Sequence, residues 1–343
     1  MEKIKFGCDY LEGAHPRILQ RLIETNYEQH EGYSEDTHCD AARQYILQRC
    51  KKEDAQVHFL VGGTQTNMTV IAAVLRPHQG VISAHTGHVN VHETGAIEAQ
   101  GHKVLALPSP DGKLTGDQVR ECVWGHRKDE NFEHMVQPGM VYVSNPTENG
   151  TMYTKAELQD LRAACDECGI PLYLDGARMG YALCAPDNDL WMEDYARLCD
   201  LFYIGGTKCG MLMGEALVIC NPVLQKDFRY ILKQKGGMLA KGRLLGVQFE
   251  EMFKDGLYEE ACGHGIQMAL KLKQGFADKG YDFLFDSGSN QQFPILTEEK
   301  RAELAEKYDF AFWERMDENR VGVRFCTSWA TKESAVDALL ADL

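Results

Sequence analysis

A chain of 343 residues, 44% hydrophobic and 25% charged, has ordinary globular composition and enough length for one large domain plus a smaller one. Its formal net charge of −15 argues against nucleic-acid and anionic-membrane partners, and no apolar run approaches the ~20 residues of a membrane helix. The 12 cysteines lack the spacing of a disulfide framework and no secretory leader is read at the start, so a cytoplasmic protein with reduced thiols is expected.

Residues 6–16 are turn-rich, and Pro16 predicts the start of an amphipathic helix with Ile18, Leu19, Leu22 and Ile23 on one side. A polar and aromatic loop over 32–37, carrying Tyr33, separates it from a second helix expected at about 39–50. Residues 57–61 read as a strand, followed by Gly62-Gly63-Thr64-Gln65-Thr66-Asn67 and a helix pattern over 68–75. Strand, glycine turn and helix N-terminus can cradle a phosphate on free backbone N–H groups. Many such turns bind nothing, and this one is neither a Walker A loop nor a GxGxxG fingerprint.

The next strand, 81–84, leads into a segment with His85, His88, His92 and Glu93. Three histidines and a glutamate invite a metal reading, since His88 and His92 stand one helical turn apart. No HExxH signature is present, however, and one imidazole stacked on a flat cofactor is preferred to a metal or a structural role; no metal is expected. Strands follow at 104–108 and 140–144, a helix at 155–168, and strands at 171–175, 201–205 and 213–220. The CxxC pair Cys165 and Cys168 sits near the end of that helix and is read as structural. This βα alternation from 57 to about 220 predicts a parallel, helix-covered sheet joined by right-handed crossovers.

Within that pattern, Leu201-Phe202-Tyr203-Ile204-Gly205-Gly206-Thr207-Lys208 is a buried strand breaking into a glycine turn with a lysine in it. Ligands of α/β sheets gather at the C-terminal strand edge. A lysine there is either a solvated loop residue or a Schiff-base lysine whose amine burial and charge keep usable near neutral pH. The upstream stretch Leu172-Tyr173-Leu174-Asp175-Gly176-Ala177-Arg178 ends another strand on the same edge with an acid and an arginine. Lysine, aspartate and arginine so arranged supply what pyridoxal phosphate needs: an imine partner, an anion for the pyridine nitrogen and a cation near the ring oxygen.

The basic, glycine-broken stretch 233–243 is either a solvated loop or an anion contact. Helices are expected at 247–253 and 258–279, then strands at 293–296 and 321–326 of a small α+β domain, with Arg324 placed to hold a carboxylate. The expected division is an N-terminal arm and helix over 1–40, a large cofactor-binding domain over 41–244 and a small C-terminal domain over 245–343. Neither an internal repeat nor a low-complexity linker is read.

The Gly-Gly-Thr-Lys of 205–208, Leu-Asp-Gly-Ala-Arg of 174–178, Gly-Gly-Thr-Gln-Thr-Asn of 62–67, the 88–96 segment and Arg324-Phe325-Cys326-Thr327 together resemble the threonine aldolase/β-eliminating lyase family of fold-type-I pyridoxal-phosphate enzymes. The resemblance implies Lys208 as the Schiff-base lysine and Asp175 on the pyridine nitrogen. It also implies Arg178 near the 3′ oxygen, His88 stacked on the ring, Gly63, Thr64 and Gln65 on the phosphate, with Thr207 beside them, and Arg324 on the substrate carboxylate. Cys8, where the family often has serine before the N-terminal aspartate, and Tyr33 fall on the substrate side. The further histidine of the best-studied aldolases is not found at Asn145-Pro146-Thr147. The implied reaction is retro-aldol cleavage of a β-hydroxy-α-amino acid, with His88 first and His85 second as candidate base. Other pyridoxal-phosphate reactions, β-elimination or transamination, remain the alternative. A homodimer or homotetramer with active sites at the interface is implied, Tyr33 or the 233–243 loop reaching a neighbour's site.

Overall fold

The structure is a computed structural model and describes residues 3–343. After the two-residue strand Ile4–Lys5 (β1), the apolar runs become Gln56–Leu60 (β2), Gln79–Ala84 (β3), Val104–Leu107 (β4), Gln137–Ser144 (β5), Leu172–Asp175 (β6), Leu201–Gly205 (β7) and Glu215–Ile219 (β8). β2 to β8 form one seven-stranded sheet in the order β2-β8-β7-β6-β5-β3-β4. All neighbours from β7 to β4 run parallel; β8 runs antiparallel to both β7 and β2, so the sheet is mostly rather than wholly parallel. The expected α/β architecture is borne out.

The central strands are buried on both faces, as a helix-covered parallel sheet requires. Leu172, Leu174, Phe202 and Ile204 feed one hydrophobic core, while Tyr142, Tyr173, Leu201 and Tyr203 feed the other. Period-2 alternation therefore sends three tyrosines to one side of the sheet near its C-terminal edge. Burying a phenol is favourable only if its hydroxyl finds a partner.

Beyond the large sheet, Ile295–Thr297, Arg320–Cys326 and Ala311–Arg315 form a small antiparallel sheet, and Gln291–Gln292 pairs with the end of Arg320–Cys326. A third core, including Phe276, Leu296, Val323 and Phe325, lies under it. β1 pairs in parallel with Tyr308–Asp309 and ties the N-terminus to this end of the molecule. The expected strand at 293–296 is thus split into two short pieces at Phe293 and Pro294; proline lacks the N–H that would continue the ladder.

Three other expectations are corrected. The helix expected from Met68 spans Gly63–Val74, so the glycine turn is the helix's own first turn. The second helix is Thr37–Cys50, with the Asp36 carboxylate accepting from the Cys39 N–H as N-cap. In Pro16–Glu24 only Ile18 of the predicted stripe is buried; Leu19 and Ile23 are exposed. Among the described residues no helix is long and apolar enough to cross a membrane.

Candidate active site

The C-terminal ends of β5, β6 and β7 open onto a cavity of about 310 Å³ lined by Lys208, Asp175, Arg178, His88, Gly63 and Thr64, among others. Asp175 ends β6 on the same side as the three tyrosines. Tyr203 donates to its Oδ1 at 2.5 Å and Tyr142 to its Oδ2 at 2.7 Å. The Ala177 N–H donates to Oδ1 at 3.0 Å, and Asn67 Nδ2 to Oδ2 at 3.1 Å. Tyr173 completes the set through its hydroxyl, which donates to Asn67 Oδ1 at 2.8 Å. Burial alone would raise this carboxyl, but His88 and the hydroxyl and amide donors hold it below the ordinary aspartate value. The result is a fixed buried anion.

Lys208 lies three residues beyond β7, in a turn locked by its backbone. The Gly206 and Thr207 N–H groups donate to the Gly214 carbonyl, Tyr181 donates to the Lys208 carbonyl at 2.7 Å, and Tyr258 donates to that of Gly205 at 2.8 Å. A Cβ on Gly205 would stand 2.3 Å from the Ala177 carbonyl oxygen, so this close crossing of the β6 and β7 turns needs glycine. Burial, reinforced by the Arg178 charge, holds the Lys208 ammonium below its ordinary value. A lysine so placed is a readier nucleophile. Thr207 is spent within the turn: it donates to Glu215 Oε1 at 2.8 Å and accepts from the Gly214 N–H at 3.0 Å.

Opposite lies the first turn of Gly63–Val74. No side chain caps it, and the Gly63, Thr64 and Gln65 N–H groups have no acceptor among the described residues. Three free donors and a helix dipole facing a cavity make an anion site. The Gln65 side chain is engaged elsewhere, accepting from the Val61 N–H and donating to the Lys235 carbonyl, both at 3.2 Å. Of this residue only the backbone is available to a phosphate. That bond also brings the 233–243 stretch beside the turn.

His88 begins a one-turn helix, His88–Val91. Its Nδ1 meets Glu93 Oε1 at 2.8 Å, and the same oxygen accepts from Asn67 at 2.7 Å, so His88 and Asp175 are linked through Glu93 and Asn67. Burial would lower the imidazole, but Glu93 and Asp175 raise it above its ordinary value. Arg178 donates twice to the buried Asp9, from Nε at 2.7 Å and from Nη2 at 3.0 Å. Asn290 donates to the same carboxylate at 2.8 Å. A lysine, a clamped aspartate, an arginine, an imidazole and a free helix N-terminus around one cavity fit pyridoxal phosphate.

A family profile described as β-eliminating lyase matches residues 12–320. The chain belongs to that family. A low specificity L-threonine aldolase of Pseudomonas sp. is 30% identical over 99% of this chain and 96% of the relative. One from Pseudomonas aeruginosa is 31% identical over the same shares. The solved structure of Leishmania major threonine aldolase is 46% identical, covers 98% of both chains and superposes with a TM-score of 0.95. The fold is therefore that of the fold-type-I pyridoxal-phosphate enzymes, as the motifs imply.

Not every residue that the family resemblance implicates lines the cavity. Arg324 holds no carboxylate among the described residues: it donates to Gln291 Oε1 at 3.2 Å and the Gly7 carbonyl at 2.9 Å, and its guanidinium lies 5.3 Å from the Trp313 ring centre. Cys8 lines a separate cavity with Cys326 and Ser328. Tyr33 sits on the surface at positive φ under the Lys233 ammonium, 4.3 Å away. His85 is exposed, its Nδ1 accepting from the Ser109 N–H at 3.1 Å. The His92 ring lies 5.5 Å from that of His88, tilted by 53°, and the metal-competent cluster among the described residues is instead Glu28, His30 and His38, none of which lines the cavity.

Two acids that line the cavity, Glu148 and the buried Glu215, escaped sequence reasoning as site residues, and the buried Glu93 is read there only as a candidate metal ligand beside the histidines. Glu215 opens β8 and its carboxyl is raised to about 8 by burial. The one signal for it was an acid at the head of an otherwise apolar strand.

Proposed function

We propose that the protein is a pyridoxal-phosphate-dependent lyase that cleaves the Cα–Cβ bond of L-threonine or L-allo-threonine to glycine and acetaldehyde. The observation that carries this reading is Lys208 and the clamped Asp175 lining one cavity with a donor-rich helix N-terminus, in a chain of which 98% aligns at 46% identity with a threonine aldolase. The named relatives are aldolases, which favours carbon–carbon cleavage over β-elimination or transamination.

When bound, pyridoxal phosphate supplies an aldehyde for amines and a ring that withdraws electrons from Cα. Lys208, whose amine burial and the Arg178 charge hold below its ordinary value, would hold the cofactor through that amine. Asp175, ionised and hydrogen-bonded, keeps the pyridine nitrogen protonated. Gly63, Thr64 and Gln65 bind the phosphate through their N–H groups, with Thr207 setting the opposite wall. Arg178, steadied by Asp9, would supply a cation for the ring oxygen, and His88, its Nδ1 fixed by Glu93, would supply the imidazole that covers the ring. Arg324 would serve the substrate carboxylate only by exchanging its bonds to Gln291 and the Gly7 carbonyl for it, and Cys8, which lines a separate cavity, is assigned to the same side by the family resemblance alone. The three-part division accompanies this reading, although its cuts at residues 40 and 244 fall inside the helices Thr37–Cys50 and Arg243–Phe253.

We infer a homodimer or homotetramer. Tyr10, at the cavity wall, is 56% exposed, and Leu11 beside it in the chain is exposed as well, as are Leu212, whose side chain lies 3.9 Å from a Cβ built on Gly13, and its neighbour Met213, an apolar rim suited to a second copy. In that assembly Tyr33 or the 233–243 loop reaches the neighbour's site. All 12 cysteines are free, in keeping with a cytoplasmic setting. The test is an acetaldehyde-coupled assay on both threonine diastereomers, beside Lys208→Ala and a spectrum of the bound cofactor. Glycine and acetaldehyde released together, and lost with Lys208, are expected. A folded protein that takes up no pyridoxal phosphate would overturn the reading.

A further inference from the structure

Cleavage of a β-hydroxy amino acid requires a group to accept the hydroxyl proton as the carbon–carbon bond breaks. The groups around the cavity differ in what their atoms already do. Both oxygens of Asp175 are occupied by two donors each. Those of Glu215 accept from Thr207 and from the Gly206 N–H. His88 has Nδ1 committed to Glu93. Glu148 is different: its Oε1 accepts from Ser144 Oγ at 2.8 Å and from the His88 N–H at 3.0 Å, while Oε2 has no partner among the described residues. It is the one lining carboxylate with an uncommitted oxygen, and two donors on Oε1 fix where that oxygen stands.

We propose that Glu148 is the catalytic residue that takes the β-hydroxyl proton of the substrate. This rests on the aldolase reading above. The proton passes from the hydroxyl oxygen to Glu148 Oε2, and the O–H pair becomes the second C–O bond of the departing aldehyde. The Cα–Cβ bond breaks with its electron pair left at Cα, and Cα is then protonated to give glycine. Glu148 returns its proton to solvent, so the cycle closes without any further reactant. Burial, with Asp175 nearby, raises the Glu148 carboxyl above its ordinary value, making its ionised form a stronger base. Ser144 and Glu148 also bring the ends of β5 and of the following loop onto the His88 amide, which seats the base beside the ring-stacking residue.

The test compares native holoenzyme with Glu148→Gln and Glu148→Asp. Gln keeps an oxygen for Ser144 and the His88 N–H but cannot take a proton. Three quantities are read: the absorbance change on titrating glycine, exchange of the glycine α-proton in deuterated water, and turnover of L-threonine. Glycine has no β-hydroxyl, so binding and exchange do not need this base. Expected for Glu148→Gln are native-like glycine titration and exchange, with threonine turnover down about 10²–10⁴-fold, and partial recovery in Glu148→Asp. Threonine turnover within about threefold of native, well short of the effect of a lost general base, would overturn the assignment and return the role to His88. So would equal losses of exchange and cleavage, the mark of a structural role. Native enzyme that binds and exchanges glycine yet releases no acetaldehyde removes the aldolase reading itself.

Discussion

The hydroxyl of Tyr203 donates to Asp175 at 2.5 Å, and the same oxygen would lie only 2.9 Å from a Cβ built on Gly63. One phenol therefore braces the acid proposed for the pyridine nitrogen and fills the space behind the turn proposed for the phosphate. Gly63→Ala must push the first turn away or displace the phenol. Losing one amide contact to a charged phosphate costs about 1.5–3 kcal/mol, so the pyridoxal-phosphate dissociation constant is expected to rise about tenfold or more. Equilibrium titration of the cofactor absorbance checks it. Unchanged affinity in the variant would remove this turn from the phosphate site.

Asp9 and Arg178 form a buried pair in which each charge depends on the other. Burial pushes the Asp9 carboxyl up, but Arg178 and Lys208 outweigh it and bring the value down to about 2 from 3.8. The folded value lies below the unfolded one, so the stabilisation is present above about pH 4 and drains away as pH falls towards 2. Asp9→Ala leaves the guanidinium buried and unpaired, for which about 3–5 kcal/mol of destabilisation is expected. Denaturant unfolding at neutral pH measures it, and a loss near zero would mean that solvent reaches Arg178.

Legibility in the sequence followed range. Strands β2 to β8 stood out because short apolar runs broken by glycine, proline or polar residues are local features, and Lys208, Asp175, Arg178 and the Gly63 turn announced themselves at strand ends. The antiparallel direction of β8 was not readable, since direction is set by the packing of distant elements. Nor was the Asn67–Glu93 bridge from His88 to Asp175, whose members come from separate loops and helices. Glu148 was passed over because an acid in a polar turn looks like solvated charge until the turn folds over a cavity. Leu19 and Ile23 misled in the opposite sense: helical spacing reported an apolar face but not which side the chain covers.

The CxxC spacing of Cys165 and Cys168 has a structural outcome. Both thiols are free and buried in the core against the sheet, and burial pushes Cys165 up to about 12 and raises Cys168 too. The thiolate is the reactive form, so neither is a redox centre at neutral pH. Of the 12 cysteines, only Cys8, Cys122 and Cys184 are partly accessible. Native protein is expected to react with an aromatic disulfide reagent at no more than these three, and at all 12 after denaturation. Rapid labelling of Cys165 or Cys168 in native protein, read by mass spectrometry, would contradict the burial.

Glu215 carries a pH signature of its own. Its carboxyl is raised to about 8 from 4.5, with burial the largest cause and Thr207 and Lys208 opposing it. A folded value above the unfolded one means that the folded chain keeps a proton the unfolded chain releases. Stability from this group is thus full below about pH 4.5 and is lost as pH rises towards 8. The slope in that window is at most about 1.4 kcal/mol per pH unit. Glu215→Gln keeps a side-chain oxygen for Thr207 or the Gly206 N–H and does not titrate. Unfolding of the cofactor-free proteins at pH 5 and pH 8 should therefore favour the variant increasingly as pH rises. A stability difference that stays constant between those two pH values would show that Glu215 is ionised in the folded chain, held by Lys208 rather than neutralised by burial.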